Sequence, residues 1–94
     1  MKAKQGDVIR FYFSPGTGCT EERRDNNTEM VDIVAEYKGE LIAISDIGSA
    51  CYLHRIDGCY SVLGNVNDQA AIEALIENGW TKESIEHVKK VNDE

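Results

Sequence analysis

Apolar side chains recur at every second residue over the first two thirds of this 94-residue chain and at helical spacing after Asp68, which predicts strands followed by helices. Over 7–13, Ile9, Phe11 and Phe13 alternate with Arg10 and Tyr12, the period of a half-buried strand. The run Ser14-Pro15-Gly16-Thr17-Gly18 breaks it, and 21–28 is polar and aperiodic, an exposed loop and the longest irregular segment. Segments 30–37 and 40–47 flank Lys38-Gly39, a two-residue loop whose glycine tolerates the positive φ of a tight hairpin turn. The register then places Tyr37 opposite Glu40, Ala35 opposite Ile42 and Ile33 opposite Ile44. One face holds Val31, Ile33, Ala35, Ile42 and Ile44. The other mixes Asp32, Glu36 and Ser45 with Met30, Val34, Leu41, Ala43 and Ile47, a composition that calls for partial cover by the helices or by another subunit.

Asp57-Gly58, flanked by 51–56 and 59–63, predicts a second hairpin, because Asp-Gly is a preferred pair for a type I′ turn. In that hairpin His54 and Cys59 are diagonal neighbours on one face, roughly 7 to 8 Å apart. Cys51 and Cys59 lie on opposite faces and on the order of 16 Å apart, too far for a disulfide. After residue 67, Ala71, Ile72, Leu75 and Ile76 share a helical face, with Asn67 or Asp68 as N-cap and Gly79 just past the end. Thr81 is a natural N-cap for a second helix, Trp80 and Ile85 have the spacing of a hydrophobic staple, and Ile85, Val88 and Val91 form its stripe. The pattern predicts an α+β domain over 1–94, a small antiparallel sheet of about five strands built on two hairpins and followed by two short C-terminal helices. A strongly curled sheet or small open β-barrel with the same helices is the alternative.

Charge narrows the function classes. The chain carries 17 Asp and Glu against 10 Lys and Arg, a formal charge of −7. Residues 1–24 hold five bases and three acids, whereas 25–77 holds ten acids against Lys38 and Arg55 alone, so the excess belongs to the middle of the chain. An acidic middle repels phosphate backbones, which disfavours direct nucleic-acid binding. It suits a basic partner, since opposite potentials speed encounter and suppress wrong pairings. No run approaches the ~20 apolar residues of a membrane span, and Met1-Lys2-Ala3-Lys4-Gln5 leads into Gly6 and Asp7 rather than an apolar leader, so a cytoplasmic location without membrane contact is expected.

The candidate chemistry is sparse. Cys19, Cys51 and Cys59 are an odd number and read as reduced thiols. With His54 they have the ligand types of a zinc site but no short Cys-x2-Cys or His-x3-His step, and no metal or other cofactor is expected. Cys59 beside His54 could form an activated thiol, although no orienting acid or oxyanion donor accompanies them. The glycine-rich loop fails the Walker template for want of a lysine and fails Cys-x5-Arg because position 25 is Asp25. Asp32 and Glu36, four apart on a strand, are about 13 Å apart, too far to share one ion.

Three functional readings follow. The first is a non-enzymatic acidic interaction protein, with Glu29, Asp32, Glu36, Glu40 and Asp46 as the docking surface for a basic partner. If the partner's groove normally holds nucleic acid, the protein acts as an inhibitor, in the manner of compact acidic proteins from phages and mobile elements. The second is a small anion- or nucleotide-binding module, open to homo-oligomerisation, using Gly16, Gly18, Arg23 and Arg24. The third is a Cys/His thiol or zinc protein centred on Cys59 and His54.

Overall fold

The computed structural model describes residues 2–16, 18–24 and 26–92; Thr17 of the glycine-rich loop and Asp25 of the acidic segment lie outside the described residues. Six strands, β1 (Asp7–Ser14), β2 (Gly18–Thr20), β3 (Thr28–Tyr37), β4 (Glu40–Ile44), β5 (Ala50–Tyr52) and β6 (Ser61–Asn65), are followed by helices α1 (Gln69–Glu77) and α2 (Lys82–Asn92). The strands form one antiparallel sheet in the order β2-β1-β3-β4-β5, with β6 on β1. Both β2 and β6 lie on the edge of β1 opposite β3, β2 against 12–14 and β6 against 7–10, so the sheet is five strands wide. It is the expected α+β architecture in its curled form. A bulge between Val8 and Ile9 contributes to the curl, because the extra residue, Leu63, raises the local twist. Gly64 follows at φ 145°, and a Cβ there would stand 2.9 Å from the Asp68 carboxylate, so this position requires glycine.

The β3–β4 hairpin has the register expected from its sequence, Tyr37 to Glu40, Ala35 to Ile42 and Ile33 to Ile44. Lys38 and Gly39 both take positive φ, as a type I′ turn demands. The second hairpin does not form. Asp57 sits at φ −57° and ψ 130° and Gly58 at φ 80°, the dihedrals of a type II turn, whose twist splays flanking strands instead of pairing them. Residues on either side diverge: β5 pairs with β4, Leu53–Ile56 coils into a 3₁₀ turn, and β6 crosses to β1. The 3₁₀ turn puts Leu53 and Ile56, three apart, on one side, and both are buried. A hairpin would have sent them to opposite faces. β2, within the segment expected to be a break, pairs Cys19 with Phe13.

Alternating residues of the sheet feed two cores. On one face Val8, Val31 and Ile33 pack with Ala71, Leu75, Trp80, Ile85 and Val88 of the helical segment. On the other, Ile9, Phe11, Val34 and Ala43 pack with Ala3, Leu53, Ile56 and Tyr60. Cover for the mixed face therefore comes from the N-terminal segment and the 3₁₀ turn. The Tyr60 hydroxyl accepts the Ala3 amide at 3.1 Å, which helps hold that cover in place.

The helix ends follow the sequence signals. Asp68 is the N-cap of α1, although its carboxylate accepts the Asn65 amide instead of one from the helix. At the C-terminus, Gly79 N–H donates to Ile76 O and Trp80 N–H to Leu75 O, the paired bonds of a Schellman motif. Thr81 and Ser84 cap α2 reciprocally, each hydroxyl accepting the other's amide, at 3.0 and 2.9 Å. Trp80 also fastens the helical layer to the sheet, its indole N–H donating to Val31 O at 2.9 Å. Trp80→Phe keeps most of the apolar bulk but orphans a buried carbonyl, and a loss of about 1 to 3 kcal/mol is expected in chemical denaturation at unchanged m-value. An unchanged midpoint would show that this bond does not support the packing.

Candidate functional site

The five acids expected to form one docking surface separate into three places. Glu36 and Glu40 are exposed at the β3–β4 tip, on opposite faces of the ribbon. Glu29 and Asp46 lie toward the other end, seven residues of β3 or roughly 23 Å from the tip. Glu29 is already engaged there, accepting from Asn78 Nδ2 at 3.0 Å and contacting Arg23 and the Tyr12 hydroxyl at 3.4 Å. Asp32 is no surface residue at all. It is 3% exposed, and Oδ1 is buried without a hydrogen-bond partner among the described residues. The period-two pattern put Asp32 correctly on the mixed face but carried no sign that the chain folds back over that face.

The described glycines of the glycine-rich segment fall in a turn and a short strand. Gly18 belongs to β2, and Gly16 lies in the turn before it with φ 92°. Arg23 pairs with Glu29 and lies over the Tyr12 ring at 5.1 Å, while Arg24 pairs with Glu22 at 3.5 Å. Both guanidinium groups therefore have carboxylates beside them, and of the two only Arg24 borders the hollow between this loop and β2.

The Cys59 and His54 neighbourhood depended on the hairpin that does not form. His54 is exposed and stacks on Tyr52 at 5.4 Å between ring centroids. Cys59 is half-buried and faces Cys19. All three cysteines are free thiols, as expected. Burial, with Cys59 beside it, pushes the Cys19 thiol up, and burial, Asp32 and Cys19 push Cys51 up against a smaller lowering from Arg55. Thiols shifted in this direction hold their protons and are weak nucleophiles. Among the described residues no three His, Cys, Asp or Glu side chains are arranged to hold a metal ion.

Two features that the pattern did not single out stand on opposite faces of the sheet. The first is a tyrosine-lined patch. The helices pack over β1, β3 and β6 and stop short of the β4–β5 side, leaving Tyr37 52% and Tyr52 38% exposed beside Ile42 and Ala50 around a hollow of about 340 Å³. Ile42 is paired with Tyr52 across the two strands, and Glu40 is paired with Tyr37 on the same face. Lys38 lies over the Tyr37 ring at 5.2 Å. β5 is the sheet's edge strand, so among the described residues its outer backbone groups have no strand partner. The sequence signal for this patch was the pairing of Tyr37 with Glu40 on a face otherwise filled by Val31, Ile33 and Ala35.

The second is a cavity of about 430 Å³ on the other face, bordered by Phe11, Phe13, Met30, Ala43, Cys51 and Ile56, with Asp32 among them. Burial, reinforced by Asp46, raises the Asp32 carboxyl from its ordinary 3.8 to about 7. No family model, curated protein or solved structure matches the chain. Among the described residues no helix is long and apolar enough to cross a membrane.

The raised Asp32 carboxyl makes a signed prediction. Between pH 4 and 7 the folded protein retains a proton that the unfolded chain releases, so this group's contribution to stability declines as pH rises through that window and is level above it. At about 1.4 kcal/mol per pH unit, the span from 3.8 to about 7 corresponds to roughly 4 kcal/mol at most. Asp32→Asn removes the dependence. Its melting temperature relative to the natural chain is expected to rise steadily between pH 4 and 7 and stay higher at pH 8. A difference independent of pH would place the carboxyl in water.

Proposed function

We propose that the protein is a non-enzymatic interaction module that docks on a basic surface of another protein through the uncovered β4–β5 face. The observation that carries this reading is the pair of half-exposed tyrosines on one face, Tyr52 on the edge strand β5 and Tyr37 at the β3–β4 tip with Glu40 paired to it. Tyrosine is enriched at interface hot spots because a rigid ring provides apolar area while its hydroxyl keeps a polar contact. An edge strand adds backbone donors and acceptors that a partner segment can extend. Charge supports a basic partner, since the chain between residues 25 and 77 carries ten acids and two bases, and Glu36, Glu40, Asp46 and Asp57 from that stretch are exposed. A surface of this sign attracts proteins that handle nucleic acid, and competition for such a groove would make the module an inhibitor.

Affinity capture on the immobilised protein tests the proposal. The expected result is a basic protein that elutes as salt is raised and is displaced by nucleic acid. Tyr52→Ala is expected to weaken capture by about tenfold or more, and Glu36→Lys with Glu40→Lys to slow association and flatten the salt dependence. Capture that ignores ionic strength and survives both sets of substitutions would remove this face from the explanation.

A further inference from the structure

We propose that the cavity on the sheet face turned away from the helices is a receptor for a small primary amine with a compact apolar body, its ammonium seated on the Asp32 carboxylate and its hydrocarbon against Phe11, Phe13, Met30 and Ile56. The cavity opens on the other side of the sheet from the tyrosine patch, because residues 30 and 32 of β3 and residue 43 of β4 project to the opposite face from Tyr37 and Ile42, and only Ala50 and Cys51 of the edge strand border both hollows among the described residues. A volume of about 430 Å³ lies at the small end of the usual range for ligand pockets, suited to a compact guest.

Asp32 decides the chemistry of the guest. A buried polar atom without a partner is costly, and native structures seldom retain one. The polar neighbours do not satisfy Oδ1. Ser45 and Ser49 bond to each other at 2.9 Å, the Cys51 thiol is a poor donor, and Arg55 borders the cavity without an ion pair to Asp32. An anionic guest would meet Asp32 with Asp46 beside it, and a pure hydrocarbon would leave the carboxyl without a partner. An ammonium group supplies donors and the opposite charge at the edge of the carboxyl that borders the cavity, and the apolar walls lower the local dielectric and strengthen the pair. Because the carboxyl carries a proton over much of the acidic range, seating the ammonium displaces that proton to solvent, and no other bond changes.

The experiment uses 2-phenylethylamine as probe, with 2-phenylethanol and 3-phenylpropionate as its neutral and anionic counterparts, titrated at pH 8 with binding read by calorimetry and by the NMR signal of the Met30 methyl. The amine is expected to bind at least about tenfold more tightly than either counterpart, the worth of a hydrogen bond to a charged group. Asp32→Asn is expected to cancel that preference while leaving the alcohol's affinity within about threefold, which also shows that the pocket still folds. Arg55→Ala removes a competing positive charge and is expected to tighten the amine. Equal affinity for amine and alcohol, a preference that survives Asp32→Asn, perturbations that miss Met30, or no amine binding at about 10 mM would each overturn the proposal. Tyr52→Ala serves as the marker of the other face: loss of capture there with amine binding intact separates the two sites.

Discussion

The double pairing of β1 is the constraint on which the rest of the structure depends. β3 occupies one edge of this strand, and β2 and β6 share the other, so the backbone of β1 is enclosed along most of its length and its side chains must serve two interiors. Val8 and Ile9, adjacent in sequence and both fully buried, point into different cores. A sheet with two dry faces needs two covers. The helical segment supplies one with Leu75, Trp80, Ile85 and Val88, and the N-terminal segment and 3₁₀ turn supply the other with Ala3, Leu53, Ile56 and Tyr60. In a chain of 94 residues neither cover is complete. The helices leave Tyr37 and Tyr52 open, and the second cover leaves the cavity beside Asp32.

Much of this was legible where local signals act alone. The register of the β3–β4 hairpin followed from Lys38-Gly39 and the alternation on either side, and both helices followed from spacing and from the Asp68, Gly79 and Thr81 boundaries. What was not legible depended on competition between local and distant partners. Asp57-Gly58 permits several turn types, and the type II geometry prevails here because Leu53 and Ile56 can both be buried by a 3₁₀ turn while β6 finds a longer partner in β1. The strand β2 is only three residues long and pairs across a turn, beneath what alternation can reveal.

The acidic residues show the same division. Net charge and its concentration in the middle of the chain are properties of the sequence, but whether a given carboxylate faces water depends on what covers its face. Asp32 and Glu36 share a face of β3; one is buried and the other is exposed at the hairpin tip. Treating the two as a common docking surface joined groups with opposite physical roles. An exposed carboxylate steers encounter at a distance, whereas a buried one gains only from direct contact. The structure thus separates the acidity of the chain into a broad exposed component and, in Asp32, an enclosed carboxyl that borders an apolar cavity.

The central claim, that the second face of the sheet is covered and that Asp32 is enclosed on it beside the 3₁₀ turn, is tested most directly by following the side-chain carboxyl carbon of Asp32 by NMR through a pH titration. A midpoint near 7 is predicted. A midpoint close to 3.8 would contradict it, since a carboxyl titrating at its ordinary value is in contact with water and the second face is open.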